Sequence, residues 1–380
     1  MKRFLIPFML LMVVLIGLTI IFPTAAVAGS SPFLAMAITR VSNSSPRKLG
    51  TLTYAAGETL ALVPANGLRL SRYKGFIIEF SGSVAKTGSS SAGTLATESP
   101  ANAVSEIRLS GKSANIIKAP PRFIRQLNHL YLRGKDWTNA SPAAANGTEA
   151  ISFTLYVDNQ TLQSDLPNGS ILDLSRGVQN PSLEIVCSQF TDVIYGGNYT
   201  GTPAITGTFT ISGIEDNDPM FDSMAFSDKE LTFVERAFNA AATSDAAFDI
   251  PLKRTALRLM CGQWTTSPTT LITTLAPTTS FARIEINGKP WWGPYSIGQI
   301  MEWNKADAKL ALSTGYFCID PLRERRKLMD WLDLTHVLDG KDPDRITSAQ
   351  LVIDSIASVA NAKFGMLVES LVPPHLQKAS

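Results

Sequence analysis

The sequence predicts an all-β protein made of two consecutive halves of one architecture, and three observations carry that prediction. Beyond residue 31, long runs at helical spacing are scarce. Short apolar or alternating segments recur instead, bounded by Gly, Ser, Thr, Asn and Pro. The second half then repeats the pattern of the first in the same order.

The chain begins differently. After Met1, Lys2 and Arg3, residues 4–22 read FLIPFMLLMVVLIGLTIIF without a charge. As a helix this hydrophobic segment would span roughly 28 Å, close to the thickness of a bilayer's hydrocarbon core. Ala26-Val27-Ala28 before Gly29 has the form of a small-residue cleavage site. Residues 1–30 therefore read either as a membrane anchor or as a removable export signal, with Lys2 and Arg3 left on the cytoplasmic side in both cases.

Strands are expected at 51–64, 75–84, 105–111, 151–158, 182–190 and 205–214, where β-branched and aromatic residues are flanked by turn formers. Asn66-Gly67, Asn168-Gly169 and Asn287-Gly288 supply turn chemistry, because Asn and Gly tolerate positive φ. Residues 86–103 and 139–150 are polar and rich in small side chains, which predicts long surface loops; TTSPTTLITTLAPTTS at 265–280 is similar. Two helices are expected. PPRFIRQLNHLYLRG at 120–134 spaces Phe123, Leu127 and Leu130 along one face behind an N-terminal proline. At 320–338, Asp320 and Pro321 form a start signal. Leu322, Leu328, Trp331, Leu332 and Val337 would then line one face, with Arg323, Glu324, Arg325, Arg326 and Lys327 on a solvated one.

The internal echo runs through five matches. EIRLSGK (106–112) answers RIEINGK (283–289), and Pro121-x-x-Ile124-x-Gln126 answers Pro294-x-x-Ile297-x-Gln299. LYVD (155–158) answers FCID (317–320), ILDLS (171–175) answers WLDLT (331–335), and PSLEIVCS (181–188) answers SAQLVIDS (348–355). Short β-rich strings recur by chance, but five in one order at a nearly constant offset indicate a duplicated unit. The predicted organisation is an N-terminal hydrophobic segment at 1–30, one unit at 31–214, an acidic linker at 215–230, and a second unit with a C-terminal tail at 231–380. Two β-rich units of this size, each with about eight strands and a helix in one connection, predict two consecutive eight-stranded jelly rolls.

At this point the chain resembles the double jelly-roll major capsid proteins of tailless icosahedral viruses, especially internal-membrane phages. The residues that carry the resemblance are 52–84 and 103–134, repeated as AAFDIPLKRTALRLMCGQW (246–264) and FARIEINGKPWWGPYSIGQIMEW (281–303), and it covers about residues 50–370. The resemblance implies a homotrimer forming a pseudo-hexagonal capsomer of an icosahedral shell. Its expected partners are neighbouring capsomers, other virion proteins such as vertex proteins, and an underlying lipid membrane reached through residues 4–22 if these are retained. The loops at 86–103, 139–150 and 265–280 would form contacts, and the LVPPHLQKAS tail would face the membrane or a neighbour. The long apolar leader departs from the family pattern.

The remaining residues offer little chemistry. A formal net charge of +2 argues against direct nucleic-acid binding. Cys187, Cys261 and Cys318 are widely spaced and odd in number, so they are expected to be buried hydrophobes rather than a disulfide framework. His129, His336 and His375 show no metal-ligand spacing, and no nucleophile elbow or phosphate loop is present. GGNYTG (196–201) reads as a hairpin tip. Glu215, Asp216, Asp218 and Asp222 lack the spacing of a calcium loop. No catalytic, cofactor-binding or metal-binding residue is expected. Asn43, Asn139, Asn146, Asn159, Asn168 and Asn198 begin sequons that matter only in a glycosylating compartment. Two other functions remain open. An exported amidase-like hydrolase on two jelly rolls would need a carboxylate pair at the interface between them. A secreted carbohydrate-binding sandwich would use Trp291 and Trp292, which otherwise read as core or subunit-interface packing.

Overall fold

The computed structural model describes residues 46–91, 94–96, 98–110, 115–131, 146–158, 172–174, 180–189, 195–196, 201–215, 228–238, 245–266, 272–274, 280–307, 311–320, 332–334, 345–354 and 362–372. The apolar segment 4–22, the acidic residues Asp216, Asp218 and Asp222, His336, His375 and the basic run 323–327 lie outside the described residues.

In the first half the elements are β1 (Pro46–Thr53), β2 (Thr59–Leu62), β3 (Arg72–Thr87), β4 (Thr94–Leu95), β5 (Val104–Ser110), β6 (Asn115–Ala119), α1 (Pro121–Tyr131), β7 (Gly147–Asp158), β8 (Leu172–Asp173), β9 (Ser182–Cys187), β10 (Tyr195–Gly196) and β11 (Thr202–Glu215). The second half continues with β12 (Asp228–Phe238), β13 (Ala246–Asp249), β14 (Thr255–Thr266), β15 (Ile272–Thr274), β16 (Phe281–Ile286), β17 (Lys289–Ser296), α2 (Ile297–Asp307), β18 (Tyr316–Ile319), β19 (Leu332–Asp333), β20 (Ala349–Asp354) and β21 (Ala362–Val372).

Two antiparallel sheets form in each half. The first half pairs β1-β11-β3-β7 and β2-β9-β5-β6. The second pairs β12-β21-β14-β18 and β13-β20-β16-β17. When the eight long strands of each half are numbered in turn, both halves have the orders 1-8-3-6 and 2-7-4-5, which is the wrapping of a jelly roll. Each helix bridges the fifth and sixth of these strands.

Four sequence echoes fall on equivalent strands, β5 with β16, β7 with β18, β8 with β19 and β9 with β20; in the fifth, Ile124 and Gln126 of α1 answer Ile297 and Gln299 of α2, while Pro121 lies in α1 and Pro294 in β17. The equivalence reaches single bonds. The two short strands β8 and β19 each pair with the third long strand, at Arg72↔Asp173 and Thr255↔Asp333. The next amide then donates back to the chain just before that strand, Leu174 N to Ser71 O and Leu334 N to Arg254 O, both at 3.0 Å.

The rolls are joined edge to edge. β12 runs parallel to β6 at Leu231↔Ile117 and Thr232↔Lys118, so a sheet of the second roll continues a sheet of the first. In the first roll, alternating residues of β3, β7 and β11 face inward, and Phe80 packs on Phe153 at 5.2 Å and Phe209 at 4.9 Å between ring centroids. β14 breaks that alternation because both of its faces are covered. Leu259 and Cys261 enter the second roll's core, whereas Met260 and Trp264 join the core of the first.

The structure corrects several expectations. The single strand predicted over 51–64 is two, because the chain turns at Gly57, where φ is 75°. Residues 86–103 are not simply a surface loop. β4 pairs with β10, and Ala96, Glu98, Ser99, Ala101, Asn102 and Ala103 are buried, since small side chains pack closely and Glu98 finds charged and amide partners. The helix expected over 320–338 does not extend through Leu332, which lies in strand β19 against β14 with Leu334 buried beside it. Sheet pairing there outweighs helical spacing, as the echo with residues 171–175 implies.

Candidate functional site

Two places gather unusual side chains: the seam between the rolls and the corner where β17 meets α2. The seam is built on α1. Phe123 N and Ile124 N donate to Pro120 O at 3.0 and 3.3 Å, which starts the helix behind its prolines. Phe123, Ile124 and Leu127 are buried. The Phe123 ring meets Phe233 at 4.8 Å, Tyr316 at 5.3 Å and Trp264 at 5.8 Å, all from the second roll. The Arg122 guanidinium lies 4.0 Å from the Trp264 ring centre, a cation–π contact. Room for these rings comes from Gly262 and Gly365, which face each other across β14 and β21. A Cβ on Gly262 would lie 2.7 Å from the Tyr316 ring, and one on Gly365 would lie 2.7 Å from both Phe233 and Trp264. Burial among these groups pushes the Tyr316 hydroxyl far above its ordinary pKa.

A polar network runs beside the rings. Glu98 accepts from Arg125 at 2.6 Å and from Gln126 Nε2 at 3.3 Å. Gln126 also crosses to the second roll, donating to Ser313 Oγ and accepting from Ser313 N, both at 2.9 Å. His129 Nδ1 lies 2.9 Å from Ala311 O, and a carbonyl only accepts, so this nitrogen carries the proton. His129, which shows no metal-ligand spacing in the sequence, is buried and fastens the two rolls.

In the corner, Asn287 and Gly288 turn with φ of 51° and 72°, the paired positive values of a tight hairpin. Asn287 Oδ1 accepts from Thr347 N at 2.7 Å and its Nδ2 donates to Arg345 O at 2.8 Å, fixing the turn. Trp292 stands opposite Ile284 and is 8% exposed; Trp291 is half-buried. Trp292, Tyr295 and Trp303 form a ladder of edge-to-face rings with centroids 4.9 and 5.1 Å apart. A flat sugar platform at the protein surface needs an exposed ring, and Trp292 is too buried to provide one. α2 starts with a reciprocal cap, Gln299 N to Ser296 Oγ and Ser296 N to Gln299 Oε1, both 3.1 Å.

Asp320 and Glu369 converge on one guanidinium, Arg258, at 2.9 and 3.4 Å, an arrangement for ion pairing rather than proton exchange. Among the described residues no three His, Cys, Asp or Glu side chains are placed to hold a metal ion. Cys187, Cys261 and Cys318 are buried free thiols, and burial raises the pKa of each. The Gln126–Ser313 bridge and the burial of Glu98 leave no mark on the sequence. Their partners lie 187 and 27 residues apart, and no local pattern marks either.

The sequence matches no established protein-family profile and no curated protein. Its fold is shared with solved structures. The crystal structure of the STIV major capsid protein is 17% identical with a TM-score of 0.64, covering 88% of this chain and 98% of that one. A chain in the atomic structure of Sulfolobus turreted icosahedral virus is 16% identical with a TM-score of 0.62, covering 88% and 92%. A chain of the PBCV-1 virus capsid is 11% identical with a TM-score of 0.50, covering 86% and 93%. At these identities the likeness is one of fold, and it places the chain among double jelly-roll structures.

Proposed function

We propose that this protein is a structural subunit of a virus shell, located in the virion and acting by assembly rather than catalysis. The observation that carries the reading is the pair of topologically identical rolls fused through β6 and β12, in a fold shared along nearly all of its length with a virus major capsid protein. A two-lobed block of this kind gives a trimer six similar lobes, and such a pseudo-hexagon tiles a surface. A seam packed with rings and hydrogen bonds suits the task, because lobes that shifted would lose register with their neighbours. The lobes would be the units read at 31–214 and 231–380, with the end of β11 and the start of β12 taking up both ends of the 215–230 connection.

On this reading the partners are other copies of the chain, neighbouring capsomers and other virion proteins. Residues 4–22 would sit in a membrane beneath the shell, and direct nucleic-acid contact is not part of the role. Native mass determination tests it. A species of about three times 41.1 kDa, or a larger shell, is expected, with residues 1–30 intact in the anchored form. A stable monomer beginning at Gly29 at high concentration would overturn the reading.

A further inference from the structure

The two rolls differ most tellingly at the aromatic corner. In the first roll Ile107 stands opposite Ala119; at the same place in the second, Ile284 stands opposite Trp292. Six residues beyond the matched Ile124 and Ile297, the first helix carries Leu130 and the second Trp303. Two aliphatic positions of the unit have become two indoles. They do not fill the space between them. Trp292, Trp303, Ile300, Asn304, Cys318 and Asp320 help to line a cavity of about 250 Å³. Trp303 and Asp320 are half-buried while the other four are buried, so these two mark its mouth. Tyr295 holds both indoles edge-to-face. The deeper Arg258 binds Asp320 Oδ2 through Nε at 2.9 Å and thereby fixes the carboxylate's orientation. Asn304 is occupied structurally, bonded in both directions to the Cys318 backbone at 2.7 and 2.8 Å.

We propose that this corner is a binding site for a small organic cation, of the trimethylammonium class. Indole faces attract cations more strongly than any other side-chain ring, and Asp320 together with Glu369 outweighs the single Arg258 guanidinium they share, leaving net negative charge beside the mouth. The cavity is smaller than the roughly 300–1,000 Å³ of pockets for drug-sized ligands, which restricts the occupant to a compact head group. Such a head exists free, as choline, or at a phosphatidylcholine surface. The proposal is independent of the capsid reading.

The test uses the full-length protein, choline at constant ionic strength, and 3,3-dimethylbutan-1-ol, its uncharged isostere. Indole emission and saturation transfer to the choline methyls are read together. Saturable binding of choline with no matching response to the isostere is expected. Trp303→Leu, which restores the first roll's residue and preserves apolar packing, should weaken binding about tenfold, corresponding to a 1.4 kcal/mol loss. Asp320→Asn should weaken it as well. Phosphatidylcholine vesicles that produce the same emission change identify a lipid head as the source, whereas a response to free choline alone identifies a soluble cation. No saturable response, an equal response to the isostere, or full retention of binding in folded Trp303→Leu protein overturns the proposal.

Discussion

Gln126 and Ser313 exchange two hydrogen bonds across the seam, although 187 residues separate them. The matched glutamine of the second corner, Gln299, is exposed and only caps its own helix. One residue of a duplicated motif has been given two tasks. Gln126→Ala leaves the Ser313 amide and one Glu98 oxygen without their partner, which should cost about 2–3 kcal/mol. Gln299→Ala removes only the exposed bond to Ser296 N and should cost about 0.5 kcal/mol. Urea unfolding of the two variants checks the ranking; equal losses would refute the assigned roles.

Gly262 is expected to tolerate no side chain. In Gly262→Ala the new Cβ meets the Tyr316 ring at 2.7 Å and the Phe123 ring at 3.1 Å, on a seam already filled with aromatics. Overpacking of this kind costs about 1–3 kcal/mol. Thermal unfolding should show a lowered midpoint, and near-ultraviolet circular dichroism should show the disturbed rings even below that midpoint.

The repeated strands β5 and β16 carry the same ion pair in opposite order. Arg108 Nε donates to Glu106 and Arg283 Nε donates to Glu285, each at 2.6 Å. If the pair and not its direction matters, reversing Glu106 alone to Arg should lower stability by about 0.5–1 kcal/mol, the scale of a partly exposed ion pair. Adding Arg108→Glu should recover most of that loss. A double-mutant cycle read by denaturant unfolding measures the recovery, and its absence would show that the order is fixed by other neighbours.

Alkaline pH should weaken the first roll. Burial raises Tyr54 and Tyr73 to about 12, with smaller contributions from Cys187 at Tyr54 and Glu215 at Tyr73. An unfolded tyrosine ionises near 10. Below that pH both states hold the proton and nothing changes; above it the unfolded state releases protons first, so stability falls as pH rises toward 12. Absorbance at 295 nm followed against pH, with folding monitored in parallel, should show late-titrating tyrosines that ionise as structure is lost. Tyr54→Phe and Tyr73→Phe should each remove one late-titrating tyrosine, and variants that leave the late phase unchanged would contradict this.

The sequence alone determined the β class, the duplication and the strands that carry it. These rest on local patterns: alternation in β3, β7 and β11, turn residues such as Asn287-Gly288, and five echoes whose order only a repeated unit explains. Helix α1 was legible for the same reason, since Phe123 and Leu127 recur at helical spacing. Local pattern failed where a second surface covers the element. β14 loses its alternation because the seam buries its outer face, and Leu332 follows a helical pattern yet pairs with β14. The tertiary structure alone decided that α1 fastens one roll to the other through Phe123, Gln126 and His129. It also decided that Trp292 and Trp303 flank a cavity rather than fill one. Contacts between residues nearly two hundred positions apart leave no periodicity in the chain, because their geometry exists only once both rolls have closed.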